Sequence, residues 1–245
     1  MRAFTFENAT KIYFGGGCVK EHLLEAVKPY GETVMLAYGG GSIKTNGIYQ
    51  EVMDVLKLAG KQVIEFSGIM PNPTYSKVME GKKVVQENQV DLILAVGGGS
   101  VMDCSKAISM AAATDKDVWE EYWIKKGEID FEPVPVGVIV TVVGTGSEVN
   151  GEGVITHEEQ KIKTSRNYPR CNPVFAMMDP KYTYTVSPLQ TAAGGFDRLS
   201  HVMETYFSAP DEDNLSDAIS EALMRSIIEN LPVAIREPEN YEARS

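Results

Sequence analysis

The chain has 245 residues, 43% of them hydrophobic and 23% charged, with a formal net charge of −11 at pH 7. This length and composition suit a folded globular chain, either one large domain or a medium domain with a smaller companion, and exclude a disordered or collagenous one. The acidic balance opposes general binding to nucleic acid or anionic lipid, although backbone N–H groups in a local pocket can still hold a phosphate. Cys18, Cys104 and Cys171 are widely spaced and odd in number, so neither a disulfide framework nor a zinc ribbon is suggested, and a reducing cytoplasm is the expected setting. Residues 1–13 mix charged and aromatic side chains without the apolar run of a signal peptide, and no later stretch is apolar enough to span a bilayer. Neither export nor membrane insertion is expected.

In chain order, residues 33–38 (TVMLAY) read as a short buried strand that stops at Gly39-Gly40-Gly41-Ser42. Residues 43–58 follow with Ile48, Val52, Val55 and Leu56 at helical spacing, and Gly60 is a plausible stop before a second strand over 62–66. The unit then repeats. Residues 75–87 read as a helix, 92–96 (LILAV) as a buried strand, Gly97-Gly98-Gly99-Ser100 as a turn, and 101–113 as another helix. A further β-branched run over 136–143 ends in Gly144-Thr145-Gly146-Ser147, and residues 174–178 add one more strand. Strands alternating with helices imply a parallel sheet covered on both faces, an α/β Rossmann-like domain over 1–180. Beyond it, residues 187–209 and 215–231 are helical in period, the start of an all-helical domain over 181–245. Leu215, Ala218, Ile219, Ala222, Leu223 and Ile227 make a wide apolar stripe on the last helix, which needs a partner surface.

A glycine turn between a buried strand and a helix brings several N–H groups to an anion, with the helix dipole adding positive charge. Phosphate is the natural guest. A Cβ would block that approach, so the glycines are read as functional and not as flexible connectors. Neither turn fits the G-x-G-x-x-G fingerprint, because Lys44 and Met102 stand where the last glycine would fall. Sites that prefer NAD usually present an acid to the adenosine ribose near a strand end. The strand ending at Tyr38 delivers Gly39 to Ser42 and no acid, so NADP is favoured over NAD. Lys44 either offers a donor to the extra phosphate or merely solvates a helix start.

The run Gly97-Gly98-Gly99-Ser100-Val101-Met102-Asp103-Cys104-Ser105-Lys106 resembles the GGGS-x-x-D-x-x-K signature of the iron-containing (group III) alcohol dehydrogenases. Gly39-Gly40-Gly41-Ser42-Ile43-Lys44 is similar to the same region of the NADP-dependent butanol dehydrogenase-like branch. Pro71-Asn72-Pro73, Thr145-Gly146-Ser147-Glu148, Asp179-Pro180-Lys181-Tyr182-Thr183-Tyr184 and the segment 197–206 match in order, so the resemblance covers essentially the whole chain. It implies a nucleotide site in which Gly98, Gly99 and Ser100 hold the pyrophosphate, with Gly40, Gly41 and Ser42 at the adenosine 2′-phosphate. It further implies that Asp103 approaches the ribose or nicotinamide side and that Thr141 and Thr145 line the nicotinamide pocket. Asn72 and Lys163 complete the nucleotide-facing set. The family reaction is reversible hydride transfer between an alcohol or aldehyde and a nicotinamide, with a metal polarising the substrate oxygen. A small alcohol or aldehyde substrate, NADP(H), Fe²⁺ or Zn²⁺, and a homo-oligomeric state are the corresponding expectations.

Asp197 and His201 are four residues apart, so on a helix they share a face; alone this is a weak signal, and the resemblance assigns both as metal ligands. A catalytic divalent site needs at least three protein ligands. The family takes two further histidines from its helical domain, whereas the other histidines here, His22 and His157, lie in the nucleotide-binding half and read as ordinary surface residues. Arg198 also departs from the small or apolar residue common at its position. The expectation is therefore a metal-assisted oxidoreductase with part of its metal site missing, the sequence stopping in a segment that the family continues. The alternative is a catalytically inactive dinucleotide-binding module. A related glycerol or sugar-phosphate enzyme is a third reading, which the paired GGGS turns disfavour.

Overall fold

A computed structural model describes residues 5, 7–208 and 215–245. The chain folds as two compact units, Met1–Thr141 with Gly146–Asp179 and Val142–Thr145 with Pro180–Ser245. No helix among the described residues is long and apolar enough to cross a membrane.

The first unit is built on a six-stranded sheet of β1 (Lys11–Phe14), β2 (Thr33–Tyr38), β3 (Gln62–Phe66), β4 (Leu92–Gly97), β5 (Val136–Val140) and β8 (Phe175–Met178). Its order is β1-β8-β5-β4-β2-β3 with every pair parallel. β4 and β5 are buried along their whole lengths, as a strand covered on both faces must be, which is why their sequences are continuous apolar runs. At Gly137 of β5 a Cβ would come within 2.2 Å of the Phe175 ring on β8, so glycine there makes room for the larger neighbour.

Helices α1 (Cys18–Val27), α2 (Ser42–Thr45), α3 (Ile48–Leu58), α4 (Tyr75–Asn88) and α5 (Gly99–Ala112) connect these strands. The connections β1→β2 and β2→β3 step one way across the sheet, and β3→β4 and β4→β5 step back. Right-handed crossovers put such opposed steps on opposite faces, and α1 packs with α3 while α4 packs with α5. The single helix expected over 43–58 is broken: Gly47 takes φ +84°, a left-handed conformation that ends α2 and restarts the chain as α3. The strand expected over 136–143 stops at Val140. An antiparallel hairpin of β6 (Glu152–His157) and β7 (Ile162–Asn167) stands outside the main sheet, tied to the 73–74 segment by a bond from the Thr156 N–H to the Pro73 carbonyl.

The second unit contains α6 (Pro188–Tyr206), α7 (Leu215–Arg236) and α8 (Tyr241–Arg244). Ser187 caps α6 by accepting the Gln190 N–H, with Pro188 at the first helical position, where its missing N–H costs nothing. α6 and α7 approach closely because position 195 is glycine, where a Cβ would come within 2.4 Å of Leu231. Leu215, Ile219 and Leu223 of the apolar stripe are exposed.

Candidate functional site

β2 and β4 are neighbours in the sheet, with Tyr38 opposite Val96, so both glycine turns leave the same carboxyl edge side by side. A Cβ at Gly39 would lie 3.9 Å from Val101 of α5 and 3.2 Å from the Ile69 carbonyl, which shows how close the turns and the post-β3 loop come. The chain leaves β2 outward to β3 and returns across β2 to β4, so the strand order reverses between the two turns. In open parallel sheets ligands bind at such a reversal, beyond the carboxyl ends of the strands.

In the second turn Gly98 is extended at φ −96°, ψ −170°, and its carbonyl accepts from the Val101 and Met102 N–H groups at 3.0 and 3.2 Å, starting α5. Thr141, just past β5, is buried and donates its N–H to Gly97 at 3.0 Å. Gly98, Gly99, Ser100 and Thr141 are thus assembled within the first unit. Thr145 belongs to the second.

In the first turn a side chain at Gly40 would meet nothing within 4 Å, and Gly41 takes φ +101°. The turn is therefore open to an approaching ligand at Gly40, and left-handed backbone at Gly41 favours glycine. Beside it lies a polar cluster that residue order did not reveal. Glu65, on β3 opposite Leu36 of β2, accepts from the Tyr38 hydroxyl at 2.5 Å, the Tyr49 hydroxyl at 2.7 Å and the Lys44 ammonium at 2.9 Å. Those three bonds hold its carboxyl down at about 2, so it is ionised at neutral pH. Lys44 lies over the Tyr38 and Tyr49 rings at 5.2 and 4.5 Å. An acid does stand near this turn, then, delivered by β3 and not by β2.

Asp103 is committed within the fold: its carboxylate accepts from the Ser147 hydroxyl at 2.5 Å and from the Val154 N–H at 3.2 Å. Burial pushes its pKa up, against those bonds and the Lys106 charge. Lys106, only 1% exposed, donates to the Ser147 carbonyl and hydroxyl and to the Asn150 and Glu152 carbonyls at 2.6–2.9 Å. Burial pushes it down to about 8, so it keeps its proton at neutral pH. Asn72, at φ +54°, accepts from Lys163 of β7 at 2.6 Å. The structure thus joins two of the residues singled out from sequence, 91 positions apart.

Asp197 and His201 do share one face of α6, with Oδ2 3.7 Å from Nε2 and both side chains exposed. Oxygen and nitrogen donors suit a divalent ion, but two are too few for a catalytic centre. Among the described residues no group of three His, Cys, Asp or Glu side chains is placed to hold a metal. Asp197 and His201 do not by themselves make a complete metal site. The other histidines are engaged with aromatic rings: His157 stacks on Tyr75 at 5.2 Å and lies beside Trp119 at 5.0 Å, and His22 stacks on Tyr13 at 4.9 Å.

Residues 9–180 match the family described as iron-containing alcohol dehydrogenase, and residues 191–245 match the C-terminal part of the Fe-containing alcohol dehydrogenase family. The chain belongs to the iron-containing alcohol dehydrogenase family. It is 43% identical over its whole length to a probable NADH-dependent butanol dehydrogenase 1 of Bacillus subtilis, and 38% identical to the NADPH-dependent aldehyde reductase YqhD of Escherichia coli. In each case it spans 62% of the relative's length. Its fold superposes on NADH-dependent butanol dehydrogenase A from Thermotoga maritima with a TM-score of 0.93 at 37% identity, covering 100% of this chain and 61% of that one.

Proposed function

We propose that the first unit binds a nicotinamide dinucleotide and that the protein is an alcohol or aldehyde oxidoreductase preferring NADP(H). The observation that carries this reading is the strand reversal between β2 and β4, where two glycine turns open at one edge of a parallel sheet. In this reading Gly98, Gly99 and Ser100 present N–H groups to the pyrophosphate at the start of α5. Gly40, Gly41 and Ser42 receive the adenosine 2′-phosphate, Lys163 and Asn72 face the nucleotide together, and Thr141 lines the nicotinamide pocket. Asp103 acts from beneath, holding the Ser147 hydroxyl and the Val154 N–H and so fixing the segment that follows Thr145. When bound, the nicotinamide supplies or accepts the hydride. Asp197 and His201 are proposed as two ligands of a divalent Fe²⁺ or Zn²⁺ that would polarise the substrate oxygen.

Relatives carry both NADH- and NADPH-dependent names, so the nucleotide is decided by experiment. Titration of the chain with NADPH and NADH, followed by nucleotide fluorescence, should give the tighter constant for NADPH. Oxidation of NADPH by a short-chain aldehyde with added Fe²⁺ or Zn²⁺ then tests turnover; two ligands hold an ion weakly, so little is expected of this chain, and robust turnover that Asp197→Ala and His201→Ala each abolish would show that another group completes the site. Equal or tighter NADH binding would overturn the nucleotide assignment. Nucleotide binding without turnover would leave the second reading, a dinucleotide-binding module.

A further inference from the structure

Glu65 and its partners lie outside the set of residues assigned to the nucleotide. Its carboxylate lies where the 39–42 turn, the post-β3 loop and α3 converge. The Lys44 N–H donates to the Gly41 carbonyl at 2.9 Å, the Gly68 N–H to Gly39 at 3.0 Å, and the Ile69 N–H to Tyr38 at 3.3 Å. The Tyr38 and Tyr49 hydroxyls donate to different oxygens of Glu65, so the carboxylate is anchored from two sides independently of Lys44. The Lys44–Glu65 pair is itself open to solvent, its side chains 45% and 41% exposed. Exposed pairs of this kind are weak and exchange partners at little cost.

We propose that Glu65 is a specificity-determining residue, competing with a 2′-phosphate for Lys44 and opposing that phosphate with its own fixed charge. The inference rests on placing the adenosine end of the nucleotide at the 39–42 turn. A phosphate there meets a cation and an anion held side by side. Lys44 can swing to it, but Glu65 stays, because two tyrosine hydroxyls keep hold of it. Discrimination between phosphorylated and unphosphorylated nucleotide is then set by a charge pair on β3 and α2 and is smaller than the glycine turn alone would give.

The test uses the 245-residue chain and two fragments of the nucleotide, 2′,5′-ADP and 5′-AMP, titrated by calorimetry. Glu65→Gln keeps an oxygen for one tyrosine while removing the charge. It should tighten 2′,5′-ADP about fivefold, the equivalent of the ~1 kcal/mol that an exposed charge pair is worth, and leave 5′-AMP unchanged. Lys44→Met should weaken 2′,5′-ADP by a similar factor, again without effect on 5′-AMP. An unchanged ratio of the two constants in both variants would overturn the proposal. So would weaker 5′-AMP binding in Glu65→Gln, since the carboxylate would then be a direct partner of the ribose hydroxyls. If the wild-type chain binds neither fragment, the placement of the nucleotide falls with it. If Gly98→Val abolishes NADPH binding while the fragment ratio ignores Glu65, only the role of Glu65 falls.

Discussion

Lys106 Nζ sits 2.8 Å from both the carbonyl oxygen and the hydroxyl of Ser147, and that hydroxyl donates in turn to Asp103 at 2.5 Å. A lysine and an aspartate on the same buried side of α5 thus grip one residue of the segment that follows Gly146, and through Asn150 and Glu152 the lysine holds the rest of it. The 147–152 segment is therefore held by a buried ammonium ion.

Lys106→Met should remove that anchor while nearly preserving volume. Three carbonyls and a buried carboxylate would lose their cation, and breaking a buried charge of this kind costs about 3–5 kcal/mol. We expect a lower urea midpoint for the first unit, and faster amide exchange over residues 147–154. Unchanged exchange in that segment would show that the hairpin, not Lys106, holds it.

Gly98→Val should abolish binding of either nucleotide. The backbone there, φ −96°, is one that any residue adopts, so folding should survive and the loss should come from a branched side chain filling the phosphate's space. Gly40→Asp should shift preference toward NAD, because nothing in the fold obstructs a side chain there and the new carboxylate would repel the 2′-phosphate. Fluorescence titrations of both variants read these effects directly, and retained affinity in Gly98→Val would move the phosphate site elsewhere.

Much of this was legible in residue order. Apolar runs such as LILAV mark strands buried on both faces, and the glycines that end them mark the turns. Other features were hidden for physical reasons. β1 is only KIYF, short and mostly exposed, and the β6–β7 hairpin carries polar residues throughout, so neither has the apolar signature of a core strand. Strand order across the sheet is a property of tertiary packing, and without it the acid of β3 could not be set beside the turn after β2. The end of β2 carries no acid, and the carboxylate beside its turn comes from the neighbouring strand. The break at Gly47 was missed because Ile43 and Ile48 are both buried, so the apolar pattern runs through a kink in the backbone.

Glu65 should leave a mark on acid stability. Its folded pKa, about 2, lies below the usual 4.5, so the charged carboxylate stabilises the native state fully above pH 4.5, and that contribution disappears as pH falls through about 2. The stability difference between wild type and Glu65→Gln should therefore shrink across that window. Its amplitude will be modest, because the side chain is substantially solvated. Urea midpoints at several pH values between 2.5 and 6 measure it, and a difference that does not vary with pH would show that the carboxylate is not preferentially charged in the folded state.

In the second unit, Arg244 binds the ends of several segments at once. Its guanidinium donates to the carbonyls of Pro238 at 2.6 Å, Thr183 at 3.0 Å and Ala234 at 3.2 Å. Ala234 is buried, so truncating the donor leaves its carbonyl without that partner, at a cost of about 1–3 kcal/mol where water cannot replace it, whereas the Thr183 carbonyl keeps the Val186 N–H at 3.0 Å. Arg244→Ala should accordingly destabilise this unit by at least that amount. Arg244→Lys should rescue little, since an ammonium lacks the planar fork that reaches carbonyls in different directions. Hydrogen exchange separates the two units: protection should fall at the amides of Tyr184 and Val186, which bond back into the 181–183 turn, and stay unchanged in β4 and β5. Equal loss of protection in both units would show that Arg244 supports the whole chain and not this unit alone.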